Sequence, residues 1–159
     1  MENIKKVMAC VDLSDYSKMT IEYALAIVKG LDVEVLLLNV INSRDIEAAK
    51  IAIPYLPENL TIESYIEKAR TKRIKAIKNL INDHFPNTGI KMVVLVRAGV
   101  PYQEILKTVE KEKVDVVVLG NKGKSNLVGT LHGSNGEKVF RHSPVPVLSV
   151  RDRKKFGRR

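Results

Sequence analysis

The sequence predicts one α/β domain, in which a parallel β-sheet carries helices on both faces. Five short apolar runs alternate with stretches of helical periodicity, and each crossover between parallel strands needs such a helix. Residues 33–40 and 114–120 are apolar at nearly every position, as expected for strands that are covered on both faces. The length of 159 residues allows one domain with a sizeable core and no second domain.

The first half of the chain supplies two strands and the helix between them. The first strand covers 5–11 (KKVMACV) and the second covers 33–40 (VEVLLLNV). Gly30 ends the intervening helix because glycine accepts the left-handed conformation that follows many helices. The apolar residues of this helix follow the spacing i, i+3, i+4 and i+7, and they are Ile21, Ala24, Leu25 and Val28.

Residues 41–60 form the main irregular insertion. Their two prolines and mixed polar composition predict a long loop with room for one helical turn. Such a loop at the carboxyl edge of a strand either covers a ligand or simply crosses the surface, and the sequence leaves both readings open. A long helix is then predicted over 58–85, ended by Pro86 and Gly89. Its core-facing residues are predicted to be Ile66, Ala69, Ile74, Ile77, Leu80 and Ile81.

The second half continues the alternation to a fifth strand. The third strand covers 90–96, and Pro101 opens the next helix at the position where its missing N–H is harmless. The fourth strand covers 114–120, a helix follows at 134–142, and the last strand covers 145–150. The buried face of the helix after Pro101 is predicted to consist of Ile105, Leu106 and Val109.

Composition excludes several classes of protein. The chain is 45% hydrophobic and 28% charged, as globular proteins are, and no apolar run is long enough to span a bilayer. The N-terminus lacks the apolar stretch of a secretory signal. Cys10 is the only cysteine, so no intramolecular disulfide can form, and its apolar neighbours favour a buried structural thiol. We therefore expect a cytoplasmic protein without a membrane partner.

The net charge of +9 is concentrated at the C-terminus. The last nine residues carry six basic side chains and Asp152, so about half of the excess charge lies there. We therefore divide the chain into a domain of residues 1–151 and a basic tail of residues 152–159. Such a tail is most often a solvated terminus, and we expect nucleic acid to bind weakly through it, if at all.

A glycine-rich segment between the fourth strand and the last helix carries the functional signal. Gly120 and Gly123 come at the end of the strand and just after it. Nine residues, 124–132, then separate Gly123 from Gly133, and Ser134 follows directly. Glycines allow backbone N–H groups to form a concave anion site. Ser134 and Glu137 have the spacing of a capping box, so a helix N-terminus with its own unpaired N–H groups begins there. Together the two features suit a polyphosphate.

Three other kinds of site are disfavoured. Lys124 and Ser125 follow Gly123 as in a P-loop, but Val118 stands where that motif needs a glycine, and the Rossmann GxGxxG is absent as well. His84, His132 and His142 have no metal-ligand spacing. No nucleophile elbow or adenylate-transferring signature is present, so we expect no catalytic residues and at most slow hydrolysis of a bound polyphosphate.

The whole glycine pattern resembles the ATP-binding signature of the universal stress protein family. The pattern is G-x-x-G, nine residues and then G-S; it follows DVVVLG and precedes EKVFRHSPVPVLSV. Further matches are VDLSDYS after the first strand, LLLNVI in the second and AGVPYQEIL after the third. The resemblance covers residues 4–151.

The resemblance implies a five-stranded parallel sheet in the order 3-2-1-4-5, with ATP bound where strands 1 and 4 meet. Asp12 would contact the adenosine, Val40 and Leu119 would flank the adenine, and Mg²⁺ or Mn²⁺ would arrive with the triphosphate. Asn135 stands where a small apolar residue is common, so it either donates to a phosphate or competes for the helix N–H groups. The residues thus assigned to nucleotide binding are Val11, Asp12, Val40, Leu119, Gly120, Asn121, Lys122, Gly123, Lys124, Ser125, Asn126, Gly133, Ser134 and Asn135.

The family resemblance also implies a homodimer that pairs through the last strand, an apolar edge strand. The predicted function is that of a nucleotide-responsive dimeric module in the stress response. The alternative is a family member with a degenerate site, which acts as an interaction module without nucleotide. The sequence does not identify a protein partner.

Overall fold

The computed structural model describes residues 3–56, 59–120 and 134–152, with Ser134 described by its backbone only. It contains a five-stranded sheet in the order β3-β2-β1-β4-β5 with every pair parallel, which confirms the predicted architecture. The strands are β1 Lys6–Cys10, β2 Glu34–Asn42, β3 Met92–Gly99, β4 Val116–Gly120 and β5 Val147–Val150. The helices are α1 Tyr16–Ile27, α2 Ser43–Ala52, α3 Ile62–His84, α4 Pro101–Glu112 and α5 Ser134–His142.

Alternation along the strands produces a core on each face of the sheet. In β1, Val7 and Ala9 point to one face and Met8 points to the other, and all three are fully buried. Helices α1 and α3 cover the first face, through residues such as Ile21 and Ile77. Helices α4 and α5 cover the second. The apolar runs in the sequence therefore belong to strands covered on both sides, as predicted.

The central position of β1 creates a switch point in the chain path. Cys10, the last residue of β1, lies between Leu38 of β2 and Leu119 of β4. After β1 the chain turns into α1 on one face, whereas after β4 it continues to α5 on the other. The helices that follow the two strands thus lie on opposite faces of the sheet, and the carboxyl ends of β1 and β4 meet between them, at the place where open α/β sheets bind ligands.

The prediction of a long loop over residues 41–60 is wrong. Strand β2 continues to Asn42, helix α2 follows at once, and a short 3₁₀ turn covers Ile53–Tyr55. The Asn42 side chain caps α2 by accepting a hydrogen bond from the Arg44 N–H at 3.0 Å. Helix α2 has no buried residue, and its sequence accordingly lacks apolar periodicity. The first proline of the segment, Pro54, lies beyond the end of α2 and does not interrupt it.

The bounds of other elements also shift. Helix α3 begins after Thr61, which forms a reciprocal capping box with Ser64, four residues later than predicted. Strands β3, β4 and β5 each begin two residues later than predicted. In α3 only Ile77 is buried, because this helix packs mainly against β3 at the edge of the sheet. In α4, Leu106 is half-buried, and Thr108 is buried in addition to Ile105 and Val109.

No helix among the described residues is long and apolar enough to cross a membrane.

Candidate functional site

A cleft of about 640 Å³ opens at the switch point. The ends of β1, β2 and β4 form its floor, and the first turns of α2, α4 and α5 form its rim. Its volume lies in the range of small-molecule sites. The cleft therefore occupies the place where the topology predicts a ligand.

Asp12 is held in a fixed orientation at the mouth of the cleft. Its Oδ1 atom accepts hydrogen bonds from the Ser14 N–H at 3.0 Å and from Ser17 Oγ at 3.2 Å. Leu13, between Asp12 and Ser14, has a φ of +62°, a conformation that is costly for a non-glycine residue. The tight turn orders the Asp12 carboxylate beside the cleft before any ligand arrives.

The cleft has apolar walls on both sides of Asp12. Val40 lies at one side and Leu119 at the other, with Tyr102 and Ile105 of α4 completing the surface. The half-buried Cys10 lies in the floor between them. A flat apolar ring of ligand fits such walls better than a charged group does.

The first turn of α5 brings backbone N–H groups and a cation to the rim. Asn135 and Gly136 line the cleft, and N–H groups in a first helical turn have no partner within the helix. Lys138 reaches the same rim, with its Nζ 4.8 Å from the centre of the Tyr102 ring. The carboxylate of Glu137 is paired with Arg141 at 2.9 Å, so it is directed along the helix. This end of the cleft favours an anion.

Three polar residues that the sequence analysis did not select form the opposite wall. Asn39 is buried, and it donates to the Val11 carbonyl at 2.6 Å and accepts from Arg73 at 2.9 Å. Arg73 also lies 3.8 Å from Asp45 of α2. Two of these residues leave a signal in the sequence. Asn39 interrupts an apolar run, and Arg73 lies four residues before Ile77, on the core-facing side of α3.

The predicted site residues divide into two groups. Some lie outside the described residues: Asn121, Lys122, Gly123, Lys124, Ser125, Asn126 and Gly133. Ser134 is described only as the first residue of α5. The structure brings the others together as lining of the one cleft, and they are Val11, Asp12, Val40, Leu119, Gly120 and Asn135. Within the described ranges, no three His, Cys, Asp or Glu side chains cluster as metal ligands would.

Several solved structures share this fold. Protein MJ0577 matches with a TM-score of 0.78 at 28% identity, over 94% of this chain and 96% of that one. A universal stress protein in complex with cAMP matches with a TM-score of 0.64 at 21% identity, over 94% and 98%. One from Archaeoglobus fulgidus in complex with dAMP matches with a TM-score of 0.58 at 16% identity, over 95% and 100%.

Sequence comparison agrees over nearly the whole chain. Universal stress protein MJ0577 of Methanocaldococcus jannaschii is 31% identical over 153 residues, which are 92% of this chain and 94% of the relative. MJ0531 of the same organism is 30% identical over 155 residues, with 97% and 86% covered. The model of the universal stress protein family matches residues 3–151. Sequence, topology and cleft thus agree, and the chain belongs to the universal stress protein family.

Proposed function

We propose that this protein binds an adenine nucleotide, with ATP as the preferred ligand, in the cleft between β1 and β4. Nucleotide occupancy would bias a dimeric or partner-binding state, and hydrolysis would be slow at most. The observation that carries the proposal is the meeting of Asp12, Gly120 and the first turn of α5 at one cleft. These elements are distant in sequence and converge only at the switch point.

The chemistry of the cleft matches the parts of a nucleotide. The apolar surfaces of Val40 and Leu119 suit the two faces of a base. The ordered carboxylate of Asp12 suits ribose hydroxyl donors. The amides of α5 and the Lys138 ammonium suit phosphate oxygens. A divalent cation would enter bound to the triphosphate, since phosphate oxygens are its preferred ligands.

Known complexes of the family agree in ligand class. The two solved relatives described above hold cAMP and dAMP, both of which are adenine nucleotides. We prefer ATP to these monophosphates because of the glycine pattern in the sequence between Gly120 and Ser134. Such a pattern is typical of backbone that binds a chain of several phosphates.

Calorimetry on nucleotide-free protein tests the proposal. We expect ATP to bind, and Asp12→Asn to weaken binding about tenfold because it replaces charge-assisted hydrogen bonds by neutral ones. Asp15→Asn is the matched control. It removes the same charge three residues away, from an exposed side chain that makes no capping hydrogen bond, so the affinity should stay within about twofold.

Other outcomes select the alternatives. If ATP, ADP, AMP and cAMP all fail to bind, the protein is an interaction module without nucleotide. Rapid release of phosphate in a turnover assay would instead make it an enzyme. Loss of affinity in Asp15→Asn but not in Asp12→Asn would show that the site has been placed wrongly.

A further inference from the structure

Asn39 is a buried polar residue whose amide is hydrogen-bonded at both its nitrogen and its oxygen. The residue is 1% exposed, its Nδ2 donates to the Val11 carbonyl at 2.6 Å, and its Oδ1 accepts from Arg73 at 2.9 Å. A carbonyl only accepts and a guanidinium only donates, so the two partners fix which way the amide faces. Burying an amide is costly unless it is bonded in this way. The bonding pattern therefore indicates that residue 39 must be an amide, held in this orientation.

Arg73 connects that amide to two further elements. Its Nη1 also lies 3.3 Å from the Val40 carbonyl, and its Nη2 lies 3.8 Å from the Asp45 carboxylate. The side chain is 20% exposed and lines the cleft. One guanidinium from α3 therefore holds the end of β2 and the first turn of α2 while it orients Asn39. A lysine, with one nitrogen, lacks the forked geometry for this arrangement.

Val11 comes directly after β1, and both its N–H and its carbonyl are hydrogen-bonded to β2. Its N–H donates to the Leu38 carbonyl at 2.8 Å, and its carbonyl is the acceptor of the Asn39 amide. The peptide that follows leads directly into Asp12 and into the strained Leu13. With both sides of Val11 bonded, the direction in which Asp12 leaves the strand is determined.

We propose that Arg73 and Asn39 form a positioning relay that fixes the Val11–Asp12 peptide, and thereby sets the geometry of the ligand wall. Arg73 acts in it through Asn39 and is a positioning residue. This inference rests on the proposed nucleotide function for its ligand, but the relay itself is a property of the protein without ligand. Nucleotide affinity and order at the end of β1 should both depend on it.

Helix α3 contains a matched control for Arg73. Arg70 lies one turn earlier, and its Nη1 donates to the Val96 carbonyl of β3 at 2.6 Å. Both arginines therefore bond a strand carbonyl from a half-buried position. Arg70 does not line the cleft and has no contact with Asn39 among its hydrogen bonds to described residues. Arg70→Met removes a similar bond without touching the relay.

The experiment has two readouts in the full-length protein. The first is the rate at which a thiol reagent modifies Cys10, the only cysteine, which precedes Val11. The second is ATP affinity by calorimetry. Arg73→Met should raise the modification rate about tenfold and weaken ATP binding about five- to tenfold. Arg73→Lys should recover part of both, and Arg70→Met should leave both within about twofold. Thermal unfolding confirms that each variant is folded.

Coupling between the two relay residues is the decisive measurement. Asn39→Leu should resemble Arg73→Met, and the double variant should be no worse than the more damaging single variant, because either change already breaks the relay. Additive losses would overturn the relay and indicate a direct ligand contact for Arg73. Unchanged rates and affinities would overturn it too, as would faster modification with unchanged affinity. If the wild-type protein binds no nucleotide, the proposed function fails, and the modification rates alone decide the relay.

Discussion

Cys10 occupies an unusual place for a thiol, between the core and the floor of the cleft. Burial, and then the nearby Asp12 carboxylate, raise its pKa to about 12. At pH 8 the thiol therefore stays protonated in the folded protein. The residue is a packing element that should resist oxidation and alkylation in the native state.

The raised pKa of Cys10 makes a prediction about stability at alkaline pH. In the unfolded chain this thiol loses its proton near its ordinary pKa of about 9, whereas in the folded protein it keeps the proton up to about 12. The unfolded state therefore binds fewer protons between these values, and stability falls as the pH rises through that window. The contribution is fully present below pH 9 and decreases by up to about 1.4 kcal/mol per pH unit above it.

Denaturant unfolding of the wild-type protein and of Cys10→Ala, each at pH 8 and at pH 10, measures the contribution of Cys10 ionisation to stability. Every other titratable group is common to both proteins, so its effect cancels in the comparison. The gap between the two free energies of unfolding should narrow at pH 10. A constant gap would mean that the folded thiol ionises near its ordinary pKa.

Single residues differ in how far the sequence reveals them. Asp12 and Gly120 were predicted to share a site, and they do line one cleft, because motif spacing and strand ends locate them. Arg73 and Asn39 were not selected. Each is an ordinary residue in its own element, and only the packing of α3 against the sheet brings them within 2.9 Å. Contacts between distant elements leave weak marks in a single sequence.

At the scale of elements, helix α2 is held by few interactions. It has no buried residue, and its fixed points are the Asn42 cap and the exposed Asp45 near Arg73. Apolar runs and apolar periodicity predicted the five strands and helices α1, α3 and α4, and the capping-box spacing of Ser134 and Glu137 predicted α5. Helix α2 was missed because a helix without a buried face has no apolar periodicity. The two prolines and the polar composition of residues 41–60 favoured a loop instead.

Local opening of α2 should respond to its cap. Asn42→Ala removes the side-chain acceptor of the Arg44 N–H, a loss of about 1 kcal/mol in helix stability. Because α2 buries nothing, we expect hydrogen-exchange protection of its amides to fall about fivefold while the global free energy of unfolding changes by less than about 0.5 kcal/mol.

Thr61→Ala is the comparison for the Asn42 variant. It removes the cap of α3, a helix that is packed into the core through Ile77. Its global cost should therefore be nearer to the full 1 kcal/mol or so expected for a lost cap. If Asn42→Ala lowers global stability as much as Thr61→Ala does, α2 is part of the cooperative fold.

At the scale of the whole molecule, β3 and β5 are the edge strands of the sheet that the described residues form. Directly before β5, the Pro146 carbonyl accepts a hydrogen bond from the Val117 N–H of β4 at 3.0 Å. In a parallel ladder alternate residues face the same neighbour, so Leu148 faces β4 while Val147 and Ser149 direct their backbone groups outward. The predicted position of β5 at an edge is confirmed, and the homodimer through this edge remains a prediction.

Proline scanning of β5 tests the dimer, because each position reports on one side of the strand. Ser149→Pro removes an outward N–H, and the Ser149 hydroxyl has no hydrogen-bond partner within the described part of the chain, so the fold should tolerate the change. Leu148→Pro removes an N–H that faces β4, leaves a carbonyl of β4 without its donor, and should lower the free energy of unfolding by about 1–3 kcal/mol. Sedimentation at micromolar concentration should therefore give a dimer for the wild-type protein and a folded monomer for Ser149→Pro.

A monomeric wild-type protein would show that the β5 edge stays unpaired in solution. A dimer that survives Ser149→Pro with unchanged affinity would place the interface elsewhere, and β3 is then the edge to examine.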